Sequence, residues 1–187
     1  CNVERLSGKI DSLAAGRPSN PVTMAQSRGW CRAITVRIFD DLIGLDGDYE
    51  MRNVFGQDEV IVPLPNIHLS KTVQVNNGEK KEIVNAKAGD IITYTLYAEN
   101  TGKADKEGFV FTDDIADVLE VADVIDLGGG ELSGTVLSWL EDDILAGETA
   151  ERSFQVQIHT DIGEDEDCVL ENIYGNKTVV NIHHIVE

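Results

Sequence analysis

The feature that most constrains this chain is a stretch that occurs twice. Arg152 to Val180, reading RSFQVQIHT-DIGEDEDCVLENIYGNKTVV, repeats with one residue dropped the earlier RAITVRIFDDLIGLDGDYEMRNVFGQDEVI, which with Val62 makes up Arg32 to Val62. Val36 falls on Val156, Ile38 on Ile158 and Gly44 on Gly163. Asp46 and Asp48 fall on Asp165 and Asp167, and Asn53-Val54-Phe55-Gly56 falls on Asn172-Ile173-Tyr174-Gly175. Further upstream, Leu6-Ser7-Gly8-Lys9-Ile10 matches Leu132-Ser133-Gly134-Thr135-Val136. An offset of about 119 residues is that of a whole domain, not of a solenoid unit. The expectation is a slice of a tandem array: residues 1–66 supply only the later strands of a domain, and residues 67–187 are a complete copy.

The composition accommodates this. A chain of 187 residues with 42% hydrophobic residues builds one good core and a fraction of another. Its 34 acidic against 15 basic residues give a formal charge of -19, which repels nucleic acid and anionic membrane surfaces and favours solubility, divalent cations or basic partners. Neither nucleic-acid binding nor direct membrane insertion is expected. No apolar run has the length of a membrane span and no signal peptide is present, so an export signal or anchor is expected outside this sequence. The cysteines Cys1, Cys31 and Cys168 fit no zinc spacing. Cys168 stands where the other copy has Tyr49, which reads as a buried apolar position. Cys1 and Cys31 form a candidate disulfide; a lipidated Cys1 is the alternative.

Along the chain, residues 1–30 are punctuated by Ser, Gly, Pro18 and Pro21 and read as a long loop between strands. Ile34, Val36 and Ile38 alternate with Thr35 and Arg37, the period of a half-buried strand. After the acidic turn 40–48, Tyr49, Met51, Asn53 and Phe55 share an inward face, and residues 60–64 form a last strand. Pro63 and Pro65 make a stiff connector. In the second copy Ile67, Leu69, Lys71, Val73 and Val75 face one way until Asn76-Asn77-Gly78 turns the chain. Ile92, Tyr94, Leu96 and Ala98 alternate in a second strand over 90–100, and Phe109, Phe111, Asp113 and Ile115 line a third. Residues 115–121 suit a short helical turn and Gly128-Gly129-Gly130 a loop. Residues 135–139, 150–159, 168–174 and 177–185 supply the remaining strands. Many short strands with regular turn signals predict an all-β fold, an antiparallel β-sandwich with Ig-like Greek-key topology.

Strand alternation places three polar side chains in the expected core: Lys71 among Leu69, Val73 and Val75, Asp113 beside Phe109 and Phe111, and Asn172 between Leu170 and Tyr174. An unpaired charge there costs several kcal/mol, so these groups need one another. A core lowers the pKa of lysine and raises that of aspartic acid, making a neutral amine and a protonated acid. The amine can then attack the Asn172 amide carbon while Asp113 polarises the oxygen and shuttles protons, forming a Lys–Asn isopeptide bond with loss of ammonia. The plainer reading of the same three residues is a buried hydrogen-bond or ion-pair cluster. Asn53 occupies the Asn172 position of the partial copy and is a candidate half-site.

A series of short motifs carries a resemblance to a known family. Leu69-Ser70-Lys71-Thr72-Val73, Ala88-Gly89-Asp90-Ile91-Ile92-Thr93-Tyr94-Thr95-Leu96, Glu99-Asn100-Thr101-Gly102, Phe111-Thr112-Asp113-Asp114-Ile115, Leu145-Ala146-Gly147-Glu148 and Glu171-Asn172-Ile173 follow one another over residues 67–182. In this order they resemble the DUF11-type repeat and are similar to the isopeptide-forming modules of Gram-positive fimbrial proteins and adhesins. The resemblance implies an extracellular Ig-like β-sandwich strung in tandem on a cell surface, and gives Lys71, Asn172 and Asp113 the same roles as above. The chain departs from the family in carrying bulky Ile173 and Tyr174 after Asn172, where small residues are usual.

Other constellations are weaker. The acidic turns 40–48 and 161–167 hold carboxylates at short spacing, candidates for calcium, but without the EF-hand pattern; a solvated turn is the plainer reading. His159 and His183-His184 show no metal-ligand spacing. No nucleophile elbow, phosphate loop or paired-carboxylate motif is present, so no enzyme acting on an external substrate is expected. Two functions remain. One is a structural segment of a surface fibre, stalk or pilus-like filament, its partners being neighbouring subunits or adjacent repeats that complete residues 1–66 by strand addition. The other is an adhesin module binding a glycan or protein through loops at one end, with Trp30 and Trp139 as the candidate aromatics.

Overall fold

The computed structural model describes residues 18–23, 35–39, 49–162 and 169–183. The fold is all-β, with several antiparallel sheets and one short helix among the described residues. The chain divides into two compact units, Cys1–Leu64 and Pro65–Glu187.

In the first unit, β1 (Pro18–Thr23) pairs antiparallel with β2 (Thr35–Phe39), and β3 (Glu50–Phe55) pairs antiparallel with β4 (Asp58–Pro63). β1 lies inside the segment that its prolines mark as a loop. Among the described residues this ribbon has two strands, and its register shifts between Pro18 and Pro21. In β3, Met51 and Asn53 are half-buried while Arg52 and Val54 are exposed, in keeping with the expected alternation.

The second unit runs β5 (Ile67–Val75), β6 (Ile83–Lys87), β7 (Ile91–Asn100), β8 (Lys106–Phe109), β9 (Thr112–Asp114), α1 (Ala116–Val121), β10 (Ala122–Asp126), β11 (Glu131–Ser133), β12 (Val136–Ser138), β13 (Asp142–Ile144), β14 (Thr149–Ile158), β15 (Val169–Tyr174) and β16 (Asn176–His183). Four strands form an antiparallel sheet in the order β10-β14-β7-β5; β11-β12-β9, β13-β8 and β15-β16-β6 form the others. The β5 to β7 connection begins with a tight turn. Asn76 and Asn77 adopt φ of 47° and 60°, and Gly78 N–H donates to Val75 O at 2.8 Å, the backbone that a hairpin's right-handed twist prefers.

Alternation in the long strands places the core. Ile92, Tyr94, Leu96 and Ala98 of β7 are buried, as are Phe154, Val156 and Ile158 of β14 and Leu170 and Tyr174 of β15. They join Phe111, Ile115, Leu137, Trp139, Val180 and Ile182 in one cluster. Val118 and Val121 turn the buried side of α1 onto it. Asn100, at the end of β7, is completely buried and fully bonded. Its Nδ2 donates to Ala104 O (2.8 Å) and Ile144 O (3.0 Å), and its Oδ1 accepts from Asn66 N–H (3.2 Å) and Gly102 N–H (3.1 Å).

Three sequence expectations require correction here. β6 runs parallel to β16, so the sheets are not uniformly antiparallel. The single strand expected through Phe109, Phe111, Asp113 and Ile115 is two strands in different sheets, β8 pairing β13 and β9 pairing β12. β8 ends at Phe109 and β9 begins at Thr112; within β8, Gly108 (φ 60°) lies opposite a register shift in the pairing with β13. Alternation of the apolar residues survives this break, so Phe111, Asp113 and Ile115 still point inward. Finally, the short strands β6, β10, β11 and β13 fall in segments that carry no sequence expectation of a strand.

Candidate cross-link site

Three strands deliver one polar side chain each to the middle of this core. Lys71 belongs to β5, Asp113 to β9 and Asn172 to β15, and they are 1 %, 2 % and 2 % exposed. Each is inward because its neighbours two residues away are the apolar face of its strand. Lys71 Nζ donates to Asp113 Oδ2 and, at 2.5 Å, to Asn172 Oδ1. Asn172 Nδ2 donates in turn to Asp113 Oδ2 at 3.3 Å. The carboxyl thus faces the lysine nitrogen and the amide nitrogen, which suits it to carry a proton from one to the other. The structure does not place it on the amide oxygen, which bonds to Nζ instead, so the expected polarising role has no contact to support it.

Aromatic rings wall the site. The Nζ lies 5.6 Å from the centroid of Tyr94, 5.8 Å from Tyr174 and 6.0 Å from Phe154. Tyr94 stacks on Phe154 at 5.0 Å and Tyr174 on Phe111 at 6.2 Å, which fixes the rings against one another. Water is kept away, and the protonation states respond. Burial lowers the Lys71 pKa to about 8 despite the opposing pull of Asp113. Burial also raises the Asp113 pKa, against the lysine and the Asn172 hydrogen bond. Both shifts favour a neutral amine beside a protonated acid. Asp113 Oδ1 is buried with no hydrogen-bond partner, an omission that costs less for an un-ionised carboxyl than for a carboxylate. A neutral amine keeps two N–H donors, enough for the two contacts observed, and a lone pair in reserve.

Sequence reasoning brings these three together and misses the wall around them. Tyr94 and Phe154 are legible only as core positions; that they flank a lysine follows from the pairing of β14, β7 and β5. Tyr174 is a stacked ring of this wall, and Ile173 beside it faces solvent. Thr178 is also missed. It lies opposite Asn172 and its Oγ1 donates to the Asn172 carbonyl at 3.2 Å.

Asn53 lies in β3 opposite Val60, half-buried. Cys1, Cys31, Cys168, His184 and Trp30 lie outside the described residues, as do the acidic turns apart from Asp161 and Ile162. Among the described residues no group of three or more His, Cys, Asp or Glu could hold a metal ion. Trp139 is a core residue whose Nε1 donates to Gly128 O at 3.1 Å, not an exposed aromatic at a loop tip. No helix among the described residues is long and apolar enough to cross a membrane. No protein-family model matches the chain, and no curated protein matches its sequence.

Proposed function

We propose that this chain is a structural segment of an extracellular fibre, stalk or pilus-like surface filament, locked by an intramolecular isopeptide bond between Lys71 and Asn172. The observation that carries the reading is the buried contact of the Lys71 amine with both the Asp113 carboxyl and the Asn172 amide. The reaction balances within these three side chains. The Nζ lone pair bonds to the Asn172 amide carbon, an Nζ proton passes through Asp113 Oδ2 to Nδ2, the C–Nδ2 bond breaks and ammonia leaves. Asp113 ends as it began, and no external substrate is consumed.

The same reading makes the second unit an Ig-like β-sandwich of DUF11 type and the first unit a partial repeat of it. The bond spans 101 residues, from the unit's first strand to its second-last. Closing a loop of that size removes unfolded-state entropy worth about 4 to 5 kcal/mol. Tension transmitted between β5 and β15 would pass through the bond and spare the ladders between them. Strand addition by a neighbouring subunit or adjacent repeat would complete the first unit and propagate the filament. Intact mass spectrometry of the folded protein tests the core of the proposal. The expected mass is below that of the sequence by one ammonia, about 17 Da; an undiminished mass overturns it.

A further inference from the structure

The outer edge of β5 is closed by a side chain where a neighbouring strand would ordinarily lie. On an antiparallel strand the peptide groups that point away from the paired neighbour belong to alternate residues. On β5 these include Val73 and Lys71. Val73 exchanges two hydrogen bonds with the backbone of Lys81, at 2.7 Å and 2.9 Å. For Lys71 the partner is the side chain of Asn176. The Lys71 N–H donates to Asn176 Oδ1 at 2.6 Å, and Asn176 Nδ2 donates to the Lys71 carbonyl at 3.1 Å. A carboxamide can do this because it presents one acceptor and one donor side by side, as a peptide group does. The same Nδ2 lies 3.2 Å from Glu82 Oε1, which ties the amide to the loop before β6.

The residue before it explains how the side chain comes so close. Gly175 has φ of 71°, and a Cβ there would sit 1.9 Å from the Leu69 carbonyl oxygen. The tip of the β15–β16 hairpin therefore presses on β5 two residues from Lys71, where only glycine fits. In that hairpin Tyr174 pairs with Asn176 and Asn172 with Thr178. One short hairpin thus carries both the amide that bonds to the lysine side chain and the amide that grips the lysine main chain.

We propose that Asn176 is a positioning residue for the Lys71–Asn172 cross-link: it fixes the main chain of the attacking lysine to the hairpin that bears the attacked amide. This rests on the cross-linking function proposed above. Asn176 takes no part in bond making, since its side chain contacts the Lys71 peptide groups and Glu82 while Nζ is held by Asp113 and Asn172. Its effect is on geometry. Two side chains reacting in a packed core gain their rate from being held in contact, and a displacement of about 1 Å costs on the order of 10²-fold.

The test uses the full chain isolated unfolded in urea, before any bond has formed, and diluted into buffers on either side of the Lys71 midpoint of about 8. The fraction lighter by one ammonia is followed by intact mass, and refolding by tryptophan fluorescence. Asn176→Ala is expected to refold and to cross-link slower by on the order of 10²-fold at every pH, with an unchanged pH midpoint. The ionisable groups facing the amine, Asp113, Tyr94 and Tyr174, are untouched by the substitution. Asn176→Ser, also neutral, has a hydroxyl too short to reach both Lys71 peptide groups; it guards against a misfolded alanine variant and should slow the reaction likewise. Asn85→Ala, which alters an exposed contact to Asn181 in the same sheet, should match the wild type. Wild-type rates in both Asn176 variants would overturn the inference and leave the cross-link standing. A slow variant whose pH midpoint climbs toward that of free lysine would also overturn it, because the loss would then come from hydration of the site. Absence of the mass loss in the wild type would remove the cross-link itself.

Discussion

At the scale of single residues, the assignments separate adjacent carboxylates. Asp113 is buried against Lys71, whereas Asp114 is exposed and its Oδ1 accepts from the Ala116 N–H at 3.2 Å. Asp113→Ala should therefore fold without forming the bond and lose its contribution of about 4 to 5 kcal/mol, while Asp114→Ala should cross-link normally. Intact mass and urea unfolding of the two variants read this directly; equal cross-linking in Asp113→Ala would strip Asp113 of its role. A pH signature follows from the lysine. Its folded value, about 8, lies below the ordinary 10.5, so its contribution to stability is fully present above 10.5 and is lost as pH falls through about 8. In Asn172→Ala, which cannot cross-link, urea stability should thus climb between these two values relative to a reference variant that also carries Lys71→Met. Parallel curves for the two proteins would mean that Lys71 titrates alike in the folded and unfolded chain.

At the scale of elements, the sequence reads best where strands are long and have one buried face. In β5, β7, β14 and β15 the period of two is carried by Val, Ile, Leu and aromatic residues, and the same period singles out Lys71 and Asn172 as polar residues on an apolar face. The strand through Asp113 breaks after Phe109, yet the inward residues keep their parity across the break, so Asp113 stays legible although the element is not. Strands of three to five residues such as β6, β11 and β13 carry too few alternations to signal themselves; their pairing is decided by tertiary contact. The turn Gly175-Asn176 shows the same limit. A glycine next to an asparagine announces a turn, and nothing local announces that the asparagine reaches a strand 105 residues away. Asn100 makes the cost of such long-range contacts measurable. Asn100→Ala would leave the buried carbonyl of Ile144 and the part-buried carbonyl of Ala104 without their donor, and a loss of about 2 to 3 kcal/mol is expected by urea denaturation. A loss below the scatter of surface substitutions would show that water replaces the side chain.

For the whole molecule, both units carry exposed apolar residues: in the second, Leu140, Ile173 and Ile83 are 86 %, 68 % and 61 % exposed around a buried core. The second unit buries Val73, Ile92, Leu96, Phe111, Phe154 and Val180 completely. The first unit has two two-stranded sheets among the described residues, and in β3–β4 Val54 is 63 % exposed and Val60 and Ile61 45 % each. Val60 and Ile61 are consecutive, so both faces of β4 carry exposed apolar surface. A pair of strands with apolar side chains on both faces is marginal in water. Of the inward residues expected from the repeat, the side chains of Ile34, Val36, Ile38 and Phe55 lie outside the described residues. Self-association through this hairpin is the form that strand addition takes when no other partner is present. Light scattering coupled to size exclusion should show the average mass rising with concentration. Placing charge on the hairpin with Val54→Lys and Ile61→Lys should return the chain to a monomer without altering the Lys71–Asn172 mass loss. The two readouts are independent because the substitutions lie in the first unit and the bond in the second. A wild-type chain that stays monomeric across the concentration range would end the filament mechanism proposed for the first unit while leaving the cross-link of the second untouched.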